Sequence, residues 1–541
     1  MRPMHVALTA LTTLALVACG TEVASPAGQA GSGTVGPLAV GTRLADRQGY
    51  YPRVVRLAHN GSANGRLVAT FESIVNGQQS AAFYQSTDDG ASWQLLSELR
   101  DATPPRNCCS VLYEVPQTLG STSAGTLFWA TSVGTDQTPR TATAIKIYKS
   151  TDQGRTWTSF STPVTGNTGL WEPEFTVDAS GRLVMFFSSE EYKGSGYNQL
   201  LAHRVSTDGG ASWGGDVIDV GVADNTRRPG MAVVRKLPNG TYLMSYEVCG
   251  WPGTHDCVAQ LRTSPNGSDW GDRTWLGYRP QTGDGHFFAH APTIAWAPDG
   301  SANGKVLLVG QVLKNSDGSL AANNGRAVLV QGSNGAENVP WTEMTAPVQS
   351  VGAGDNPCVN YSSALLPSAN GSKLLELATD FENGTCKTYF GTGALNFPVS
   401  GATYRLVNEQ SQQCLDVANG STAINANVQQ YTCNNLAPQN WLLLDKGAGY
   451  FTLTSQQSNL CLDDAFGSTA AGANVQQYTC NSLAPQNWRA VSVANGYFKV
   501  LNQQASGLAL DVDRGSTTPG ANVQLYTDNG FAPQHWRFER R

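Results

Sequence analysis

Three glutamates stand out because charged residues make up only 14% of this 541-residue chain. Glu172 and Glu174 flank a proline in the segment GLWEPEF, where Glu172 directly follows Trp171. Glu247 ends the segment YLMSYE, further along the chain. Two carboxyl groups on different strands can act as a general acid and as a nucleophile or base, provided that apolar surroundings keep one of them protonated. The residues therefore indicate a pair of catalytic carboxyl groups.

The elements that must carry these glutamates are predicted to be β-strands. Short apolar runs such as RLVMFFSS and KVLLVGQV alternate with turns, and the chain contains 58 glycines. No long segment has the apolar periodicity of a helix. A chain of 541 residues is too long for one ordinary core, so at least two domains are expected. The predicted fold class is all-β.

A turn motif repeats in the first part of the chain. The pattern S-x-D-x-G-x-[ST]-W occurs at residues 86–93, 150–157 and 206–213, and a degraded copy with Pro265 at the Asp position occurs at 263–270. The Asp can hydrogen-bond the turn and the Gly permits a positive φ. The motif resembles the Asp-box of sialidase-like β-propellers, where it is a structural turn at the outer edge of a blade. The resemblance therefore excludes Asp88, Asp152 and Asp208 from catalysis.

A second periodic feature predicts the number of blades. Six segments each open a β-like run, and a six-bladed β-propeller over residues 39–398 fits their number and spacing. In a propeller the first strand of each blade lines the central channel, so the six starts should line one funnel. The segments are YYPRVV (Tyr50), NCCSVL (Asn107), LWEPEF (Leu170), RRPGMA (Arg227), HAPTIA (His290) and NYSSAL (Asn360).

The C-terminal part, residues 403–541, consists of three copies of one sequence. The copies run from Cys414 to Trp441, from Cys461 to Trp488 and from Ala509 to Trp536. Their C-L-D openings and Q-x-W endings resemble the ricin-B-type β-trefoil, a carbohydrate-binding module. The resemblance implies one sugar site per copy, with an Asp, a Gln and an aromatic platform. The residues concerned are Asp416, Gln429 and Tyr431, then Asp463, Gln476 and Tyr478, then Asp511, Gln524 and Tyr526.

One position departs from the ricin-type pattern. The late Asn that precedes the Q-x-W glutamine is Pro438, Pro485 and Pro533 in the three copies. A hydrogen-bond partner for the sugar is therefore missing in every lobe. Because the Asp, Gln and Tyr set is intact, sugar binding is the preferred prediction, and a trefoil kept only as a spacer is the alternative.

The N-terminus predicts export. A weakly basic start and a short apolar stretch end in Leu16-Val17-Ala18-Cys19, which resembles the bacterial lipobox. Residues 1–19 are therefore predicted to be a lipoprotein signal with Cys19 lipidated, and residues 20–38 a flexible linker. A plain signal peptide is the alternative. The predicted location is extracellular, as a bacterial surface lipoprotein or a secreted protein, with membrane contact only through the lipid anchor.

The other ten cysteines suit disulfides in an exported protein. The third trefoil copy has lost both of its cysteines together, which implies that the partners in the first two copies pair with each other. Adjacent Cys108 and Cys109 could form a vicinal disulfide or remain two thiols. The predicted pairs are Cys414 with Cys433, Cys461 with Cys480, Cys249 with Cys257, and Cys358 with Cys386.

The propeller region also resembles a particular enzyme family. The W-E-P, R-P-G-M, L-P-N-G-x-Y and Y-E segments occur in the order and near the spacing of glycoside hydrolase family 93, the exo-α-1,5-L-arabinanases, and weaker similarity covers most of residues 50–393. The resemblance implies a retaining enzyme that releases arabinobiose from linear α-1,5-arabinan, with Glu172 and Glu247 as catalytic carboxyl groups. Further substrate-binding candidates are Trp171, Glu174, Arg228 and Tyr361, whereas His203 is predicted to be structural.

Two other functions remain open from the sequence. An exo-α-sialidase is suggested by the Asp-boxes, but it needs three converging arginines and only Arg53 and Arg228 are candidates. A non-catalytic surface adhesin that presents the trefoil is the other. The net charge of −6 and the lack of basic runs argue against nucleic-acid binding. Seven scattered histidines give no metal signature, so no metal or cofactor is predicted, and a monomer is expected.

Overall fold

The computed structural model of the chain describes residues 41–75, 78–100, 107–135, 139–251, 255–299, 302–395, 398–447, 450–493 and 497–541. The predicted signal segment with Cys19 and the linker lie outside these residues. Every regular element in the described ranges is a β-strand or a 3₁₀ turn of three residues. None of the described helical segments has the length and apolar character needed to span a membrane. The all-β prediction is confirmed.

Six sheets of four or five antiparallel strands form the propeller. The strand nearest the N-terminus, β1 (Thr42–Arg43), belongs to the last sheet. The first three blades each consist of four consecutive strands. They are β2 (Tyr50–Arg56), β3 (Leu67–Val75), β4 (Gln78–Ser86) and β5 (Gln94–Leu99); β6 (Asn107–Glu114), β7 (Leu127–Val133), β8 (Thr143–Ser150) and β9 (Thr158–Gly166); and β10 (Leu170–Val177), β11 (Leu183–Ser189), β12 (Leu200–Ser206) and β13 (Val217–Val220).

The remaining blades depart slightly from this regular order. Blade 4 contains β14 (Arg228–Lys236), β15 (Tyr242–Cys249), β16 (Val258–Ser264) and β17 (Phe287–Ala289). Next along the chain come β18 (Thr293–Ala297), β19 (Lys305–Val309), β20 (Val312–Lys314), β21 (Ala327–Gln331) and β22 (Thr342–Thr345). Of these, β20 pairs with β17 and extends blade 4, and the other four form blade 5. Blade 6 contains β23 (Ala364–Pro367), β24 (Lys373–Glu382) and β25 (Thr385–Ala394).

The ring is closed by pairing between its two ends. Strand β1 pairs with β25, with Thr42 opposite Phe390 and Arg43 opposite Tyr389, so the N-terminal strand is the outer strand of blade 6. Closure in this way ties the first described strand to the last blade and covers the outer edge of β25. The predicted six-bladed propeller is confirmed.

The Asp-boxes are turns between the third and fourth strands of blades. In the third box, Asp208 Oδ1 accepts hydrogen bonds from the Ser206 hydroxyl and the Ser212 N–H at 2.8 and 2.9 Å. The degraded copy keeps both bonds, because the Asn266 side-chain oxygen accepts from the Ser264 hydroxyl at 3.3 Å and from the Asp269 N–H at 2.7 Å. Asn266 therefore takes the place of the missing Asp, whereas the spacing of the motif predicts that place at Pro265. Both carboxylate oxygens of Asp208 accept hydrogen bonds from within the turn.

The C-terminal part is a trefoil of twelve strands with threefold repetition. In each copy a fully buried tryptophan donates its indole N–H to a carbonyl of the C-L-D strand, as Trp441 does to Leu415 at 3.2 Å. The predicted trefoil is confirmed. Its strands are β26 (Thr403–Asn408), β27 (Cys414–Val417), β28 (Val428–Tyr431), β29 (Trp441–Gly447), β30 (Tyr450–Ser455), β31 (Cys461–Asp464), β32 (Ala473–Tyr478), β33 (Trp488–Ser492), β34 (Phe498–Asn502), β35 (Leu508–Val512), β36 (Val523–Thr527) and β37 (His535–Arg540).

The 3₁₀ turns complete the element list. Two lie in the propeller, and the trefoil has two per lobe, one after the C-L-D strand and one at the A-P-Q segment. They are Gly61–Ala63, Lys193–Ser195, Ala418–Gly420, Ala437–Gln439, Ala465–Gly467, Ala484–Gln486, Asp513–Gly515 and Ala532–Gln534.

Polar contacts join the trefoil to the propeller. Arg540, at the end of β37, forms an ion pair with Asp299 at 2.5 Å, just beyond the end of β18. The Gly283 N–H donates to Asp445 of β29 at 2.9 Å. The ion pair therefore lies beside the C-terminal end of β18, whereas the funnel is predicted at the N-terminal end of such strands. The trefoil is therefore attached away from the strand starts that were predicted to line the funnel.

Candidate active site

The first strand of each blade begins with an irregularity at the same position. In blades 1 to 4 the pairing register shifts within a four-residue segment, as it does between Trp171 and Glu174. The second residue of each segment has a positive φ, and the matching residues of blades 5 and 6 do as well. The six residues are Tyr51, Cys109, Glu172, Met231, Ala291 and Ser362.

Four of these residues lie in β-bulges, and Ala291 and Ser362 occupy the matching positions two residues before the first strands of blades 5 and 6; we call all six the bulge residues. A residue other than glycine with positive φ costs on the order of 1–3 kcal/mol and persists only where the surroundings hold it, commonly at functional sites. A bulge also re-aims the side chain of the extra residue. Glu172 is the one carboxyl group among the six bulge residues. Around it lies an apolar group that we call the funnel floor, which comprises Tyr50, Tyr51, Cys108, Cys109, Trp171, Met231, Ala291 and Tyr361.

Glu172 is buried and held by two donors. Its Oε2 accepts a hydrogen bond from the Ser188 hydroxyl at 2.6 Å and one from the Met231 N–H at 2.9 Å. Ser188 lies on β11, opposite Trp171, and Met231 is the bulge residue of the next blade. Burial raises the pKa of Glu172, while these two donors oppose the rise because they stabilise the carboxylate.

Glu247 faces the same region from blade 4. It lies on β15 opposite Gly230, and its Oε2 accepts the N–H of Ala291, the bulge residue of blade 5, at 2.7 Å. Burial, with a contribution from the negative charge of Glu172, raises the pKa of Glu247 to about 8. The two predicted catalytic carboxyl groups therefore lie close enough to interact, and Glu247 is suited to hold a proton at neutral pH.

A third glutamate occupies the same kind of position and was missed from the sequence. Glu72, on β3 opposite Tyr50, accepts the Ser110 N–H of blade 2 at 2.8 Å through Oε1. Burial raises its pKa to about 7. In all three cases, a carboxyl group of one blade accepts an N–H at the bulge of the next blade. The available signal was a single Glu in the otherwise uncharged strand LVATFESIV.

Tyr361 lies near both predicted catalytic residues. Its ring belongs to the funnel floor, and its hydroxyl is 3.6 Å from the Met231 sulfur. Burial raises the pKa of Tyr361 well above its ordinary value, and the charges of Glu247 and Glu172 raise it further. The phenol is therefore a neutral hydroxyl beside the two carboxyl groups.

Arg228 and Trp171 are organised by a glutamate that the sequence did not single out. Glu190, beyond the end of β11, accepts from Arg228 Nη2 at 2.9 Å and from the Trp171 indole N–H at 3.3 Å through Oε1. Its Oε2 accepts from Lys193 at 2.8 Å. Although burial acts in the other direction, Lys193 and Arg228 hold the pKa of Glu190 below its ordinary value. Arg228 also donates to Gln199 Oε1 at 2.9 Å.

Glu174 lies apart from the funnel floor, in the axial channel. It lines a cavity of about 440 Å³ whose wall also includes Arg53 and Arg235. Its Oε1 accepts from Arg235 Nη1 at 2.7 Å. Burial raises the pKa of Glu174, although the two arginines act in the opposite direction. The bulge therefore separates Glu172 from Glu174, which the alternation of a regular strand would have placed on one face.

Arg53 and His203, the other polar side chains considered from the sequence, have internal partners. Arg53 donates to the Ser362 carbonyl at 3.0 Å and hydroxyl at 2.9 Å, and its guanidinium lies 4.0 Å from the centre of the Tyr51 ring. His203 Nδ1 lies 2.8 Å from Asp219 Oδ1, and both side chains are buried. Within the described residues, the one group close enough to bind a metal ion is Cys249, Cys257 and His290, and its two cysteines are joined by a disulfide.

Five disulfides are present in the described ranges. Cys108 and Cys109 form a vicinal disulfide, which is one of the two states that the sequence left open. The other four join the residues that the sequence paired: Cys249–Cys257, Cys358–Cys386, Cys414–Cys433 and Cys461–Cys480.

Each trefoil lobe repeats one polar arrangement. In the first lobe Asp416 accepts from Gln429 at 3.0 Å and from Gln439, the Q-x-W glutamine, at 3.1 Å. Asp463 accepts in the same way from Gln476, and Asp511 from Gln524. The neighbouring rings are accessible, since Tyr431, Tyr478 and Tyr526 are 43%, 37% and 43% exposed. Each lobe thus combines a fixed Asp–Gln pair with a solvent-facing ring.

The trefoil matches a known family. The family model described as "Ricin-type beta-trefoil lectin domain-like" matches residues 394–478 and 484–541. No protein in a curated set of sequences matches the chain.

The propeller is similar to solved structures of glycoside hydrolase family 93. An α-L-arabinanase of Penicillium chrysogenum, complexed with arabinobiose, is 25% identical, with 66% of this chain and 97% of that one covered and a TM-score of 0.55. An α-L-arabinofuranosidase of Fusarium graminearum with an iminosugar inhibitor is 22% identical, with 67% and 99% covered and a TM-score of 0.54. The predicted resemblance, a propeller like those of family 93 followed by a ricin-type trefoil, is confirmed.

The raised pKa of Glu247 predicts a pH dependence of stability. Between its ordinary value of 4.5 and about 8, the folded state keeps a proton that the unfolded state releases, so stability falls as pH rises through this window. Glu247→Gln removes this loss. The free energy of unfolding of the wild type should therefore decline relative to that of the variant by up to about 1.4 kcal/mol per pH unit.

Urea unfolding at pH 5, 6, 7 and 8 measures the difference. Asp208→Asn serves as the control, because hydrogen bonds from Ser212 hold the pKa of Asp208 at about 2 and it does not titrate in this range. Parallel curves for the wild type and Glu247→Gln would contradict the raised pKa.

Proposed function

We propose that the propeller is a retaining glycoside hydrolase that acts from the chain end of linear α-1,5-L-arabinan and releases arabinobiose. The observation that carries the proposal is a pair of glutamates on adjacent blades, the buried Glu172 and the partly buried Glu247. Each accepts an N–H from the bulge of the following blade, and each has a raised pKa. The likeness of the propeller to an arabinanase bound to arabinobiose supports this substrate class.

Their environments support different roles for the two carboxyl groups. Glu172 receives two hydrogen bonds, from Ser188 and Met231, which favour the carboxylate and hence a nucleophile. Glu247 accepts from Ala291 and lies near the charge of Glu172, so it is the group that keeps its proton. We therefore assign Glu172 as the nucleophile and Glu247 as the acid/base.

The reaction then follows the two steps of a retaining glycosidase. A Glu172 oxygen attacks the anomeric carbon as Glu247 gives its proton to the departing glycosidic oxygen, which leaves as an alcohol. Glu247, now ionised, takes a proton from water, and the water oxygen displaces Glu172 from the same carbon. Both inversions occur at one centre, so the anomeric configuration is retained and the two carboxyl groups return to their initial protonation states.

The neighbouring residues support substrate binding beside this pair. The Tyr361 hydroxyl stays neutral and can donate to a carboxylate or a sugar oxygen. Arg228 retains the capacity for a further bond to a sugar hydroxyl while Glu190 and Gln199 fix its orientation. Trp171 is 3% exposed, so we propose that it contributes mainly a rigid apolar wall. Glu174, paired with Arg235 in the axial channel, would support the fold of the bulge.

The sialidase alternative is less well supported. A sialidase groups three arginines around the carboxylate of its substrate. Arg53 is engaged by Ser362 in the wall of the axial channel, whereas Arg228 is engaged by Glu190 and Gln199. The two arginines that the sequence offered for this role thus have separate partners.

We further propose that the trefoil holds the enzyme on its polysaccharide. Three solvent-facing rings beside fixed Asp–Gln pairs can stack on sugars and hydrogen-bond their hydroxyls. Because the trefoil carries one such site in each of its three lobes, several sites can bind one polysaccharide chain at the same time, which raises the overall affinity even when each site is weak. Five disulfides support an extracellular setting for both domains.

Removing either carboxyl group should abolish hydrolysis. Glu172→Gln and Glu247→Gln are each expected to lower kcat on linear α-1,5-arabinan by at least about a thousandfold. The first variant loses the nucleophile, and the second loses the group that transfers the proton. Chromatography of the products should detect arabinobiose with the wild type and none with Glu172→Gln. Glu174→Gln is the matched control and should retain most of the activity.

Three outcomes would count against this function. Release of sialic acid from sialyllactose by the wild type would favour the sialidase. Binding of glycans without hydrolysis of any would favour the adhesin. Arabinobiose release by Glu172→Gln at the wild-type rate would remove Glu172 from catalysis.

The trefoil predicts a separate set of effects. Replacing Tyr431, Tyr478 and Tyr526 together by Ala should abolish retention on insoluble arabinan, since each stacked ring contributes about 1 kcal/mol of binding free energy. Hydrolysis of a soluble arabino-oligosaccharide should be unchanged. Affinity electrophoresis with single, double and triple variants measures the additive loss. Equal retention of the wild type and the triple variant would contradict sugar binding at these rings.

A further inference from the structure

The vicinal disulfide occupies the bulge of blade 2. Cys108 and Cys109 are the first and second residues of that bulge, the positions held by Trp171 and Glu172 in blade 3. The second position is the one whose side chain the bulge re-aims. The disulfide therefore lies at the level of the nucleophile, one blade away along the ring.

The surroundings of the disulfide are those of the funnel floor. Cys109 is buried, and both cysteines belong to the apolar group that includes Tyr51, Trp171 and Tyr361. The same group contacts the two catalytic carboxyl groups through Met231 and Ala291. A sugar held between Glu172 and Glu247 would thus meet the disulfide on its apolar side.

A hydrogen bond to blade 1 also holds the backbone of the segment that carries the disulfide. Glu72 accepts the N–H of Ser110, the residue after the disulfide, at 2.8 Å, and it is buried. The proposed mechanism does not use Glu72. Through this hydrogen bond the buried Glu72 fixes the backbone near the start of β6. It therefore also fixes the position of the two sulfur atoms in the funnel.

A disulfide between adjacent residues suits one face of a sugar. Sulfur is polarisable and makes favourable contacts with apolar groups, and a disulfide presents no hydrogen-bond donor. The face of a furanose that carries C–H groups can lie against it without leaving a hydroxyl unpaired. Because the two residues are covalently joined, little conformational entropy is lost when the sugar binds.

We propose that the Cys108–Cys109 disulfide is a substrate-contacting wall of the catalytic funnel and that it determines specificity for the arabinofuranose ring. The inference rests on the proposed function of the propeller. The disulfide packs against the apolar face of the ring, while Glu172 acts at the anomeric carbon and Glu247 at the glycosidic oxygen. It takes no part in proton transfer or bond cleavage.

Replacing both cysteines tests the proposal. Cys108→Ala/Cys109→Ala should raise KM for a short α-1,5-arabino-oligosaccharide by about tenfold, the scale of a lost apolar contact, with kcat within about threefold of the wild type. Cys414→Ala/Cys433→Ala removes a disulfide in the trefoil and should leave both constants unchanged. Wild-type KM in a folded Cys108/Cys109 variant would overturn the proposal.

Protection from reduction provides a second readout that needs no variant in this turn. Under limited reduction followed by alkylation, saturating arabinobiose should slow labelling of Cys108 and Cys109 in the Glu172→Gln enzyme several-fold. Labelling of the buried pair Cys358 and Cys386 should not change. Equal labelling with and without arabinobiose, when calorimetry detects binding, overturns this proposal alone. Absence of both hydrolysis by the wild type and arabinobiose binding overturns it together with the proposed function.

Discussion

The hydrogen bond between a buried or partly buried carboxyl group of one blade and a backbone N–H at the bulge position of the next blade is the interaction on which the site depends. It occurs three times, from Met231 to Glu172, from Ala291 to Glu247 and from Ser110 to Glu72. Each of these bonds links neighbouring blades at the funnel. Each also gives a desolvated carboxyl group a donor, without which its burial would be far more costly.

This arrangement carries a cost in stability. Bulge residues with positive φ and buried carboxyl groups both cost free energy, and the funnel concentrates both. The surrounding fold offsets the cost through six sheets, the pairing of β1 with β25 and the packing of the blade cores. The result is a pair of carboxyl groups whose proton affinities are set by burial and by fixed donors and, for Glu247, also by the charge of Glu172.

The sequence predicted the architecture well because repeats carry it. The Asp-box turns and the six strand starts gave the six blades, and the Q-x-W endings gave the trefoil. The closure by Thr42–Arg43 was not predictable, since two residues show no period. Nor was the bulge, because Tyr, Cys, Glu, Met, Ala and Ser have no residue signature for positive φ as glycine does. Strict alternation along a regular strand would place Glu174 on the same face as Glu172, whereas the structure pairs Glu174 with Arg235.

Azide rescue tests the central claim, that Glu172 and Glu247 act on opposite sides of one glycosidic bond. With an aryl α-arabinobioside as substrate, azide should restore turnover to Glu172→Ala and yield a β-glycosyl azide, because azide enters where the nucleophile was. For Glu247→Ala the product should be the α-glycosyl azide, formed from the covalent intermediate. NMR of the two products distinguishes the anomers. Exchanged anomers would contradict the assigned roles, and no rescue of either variant would contradict the account itself.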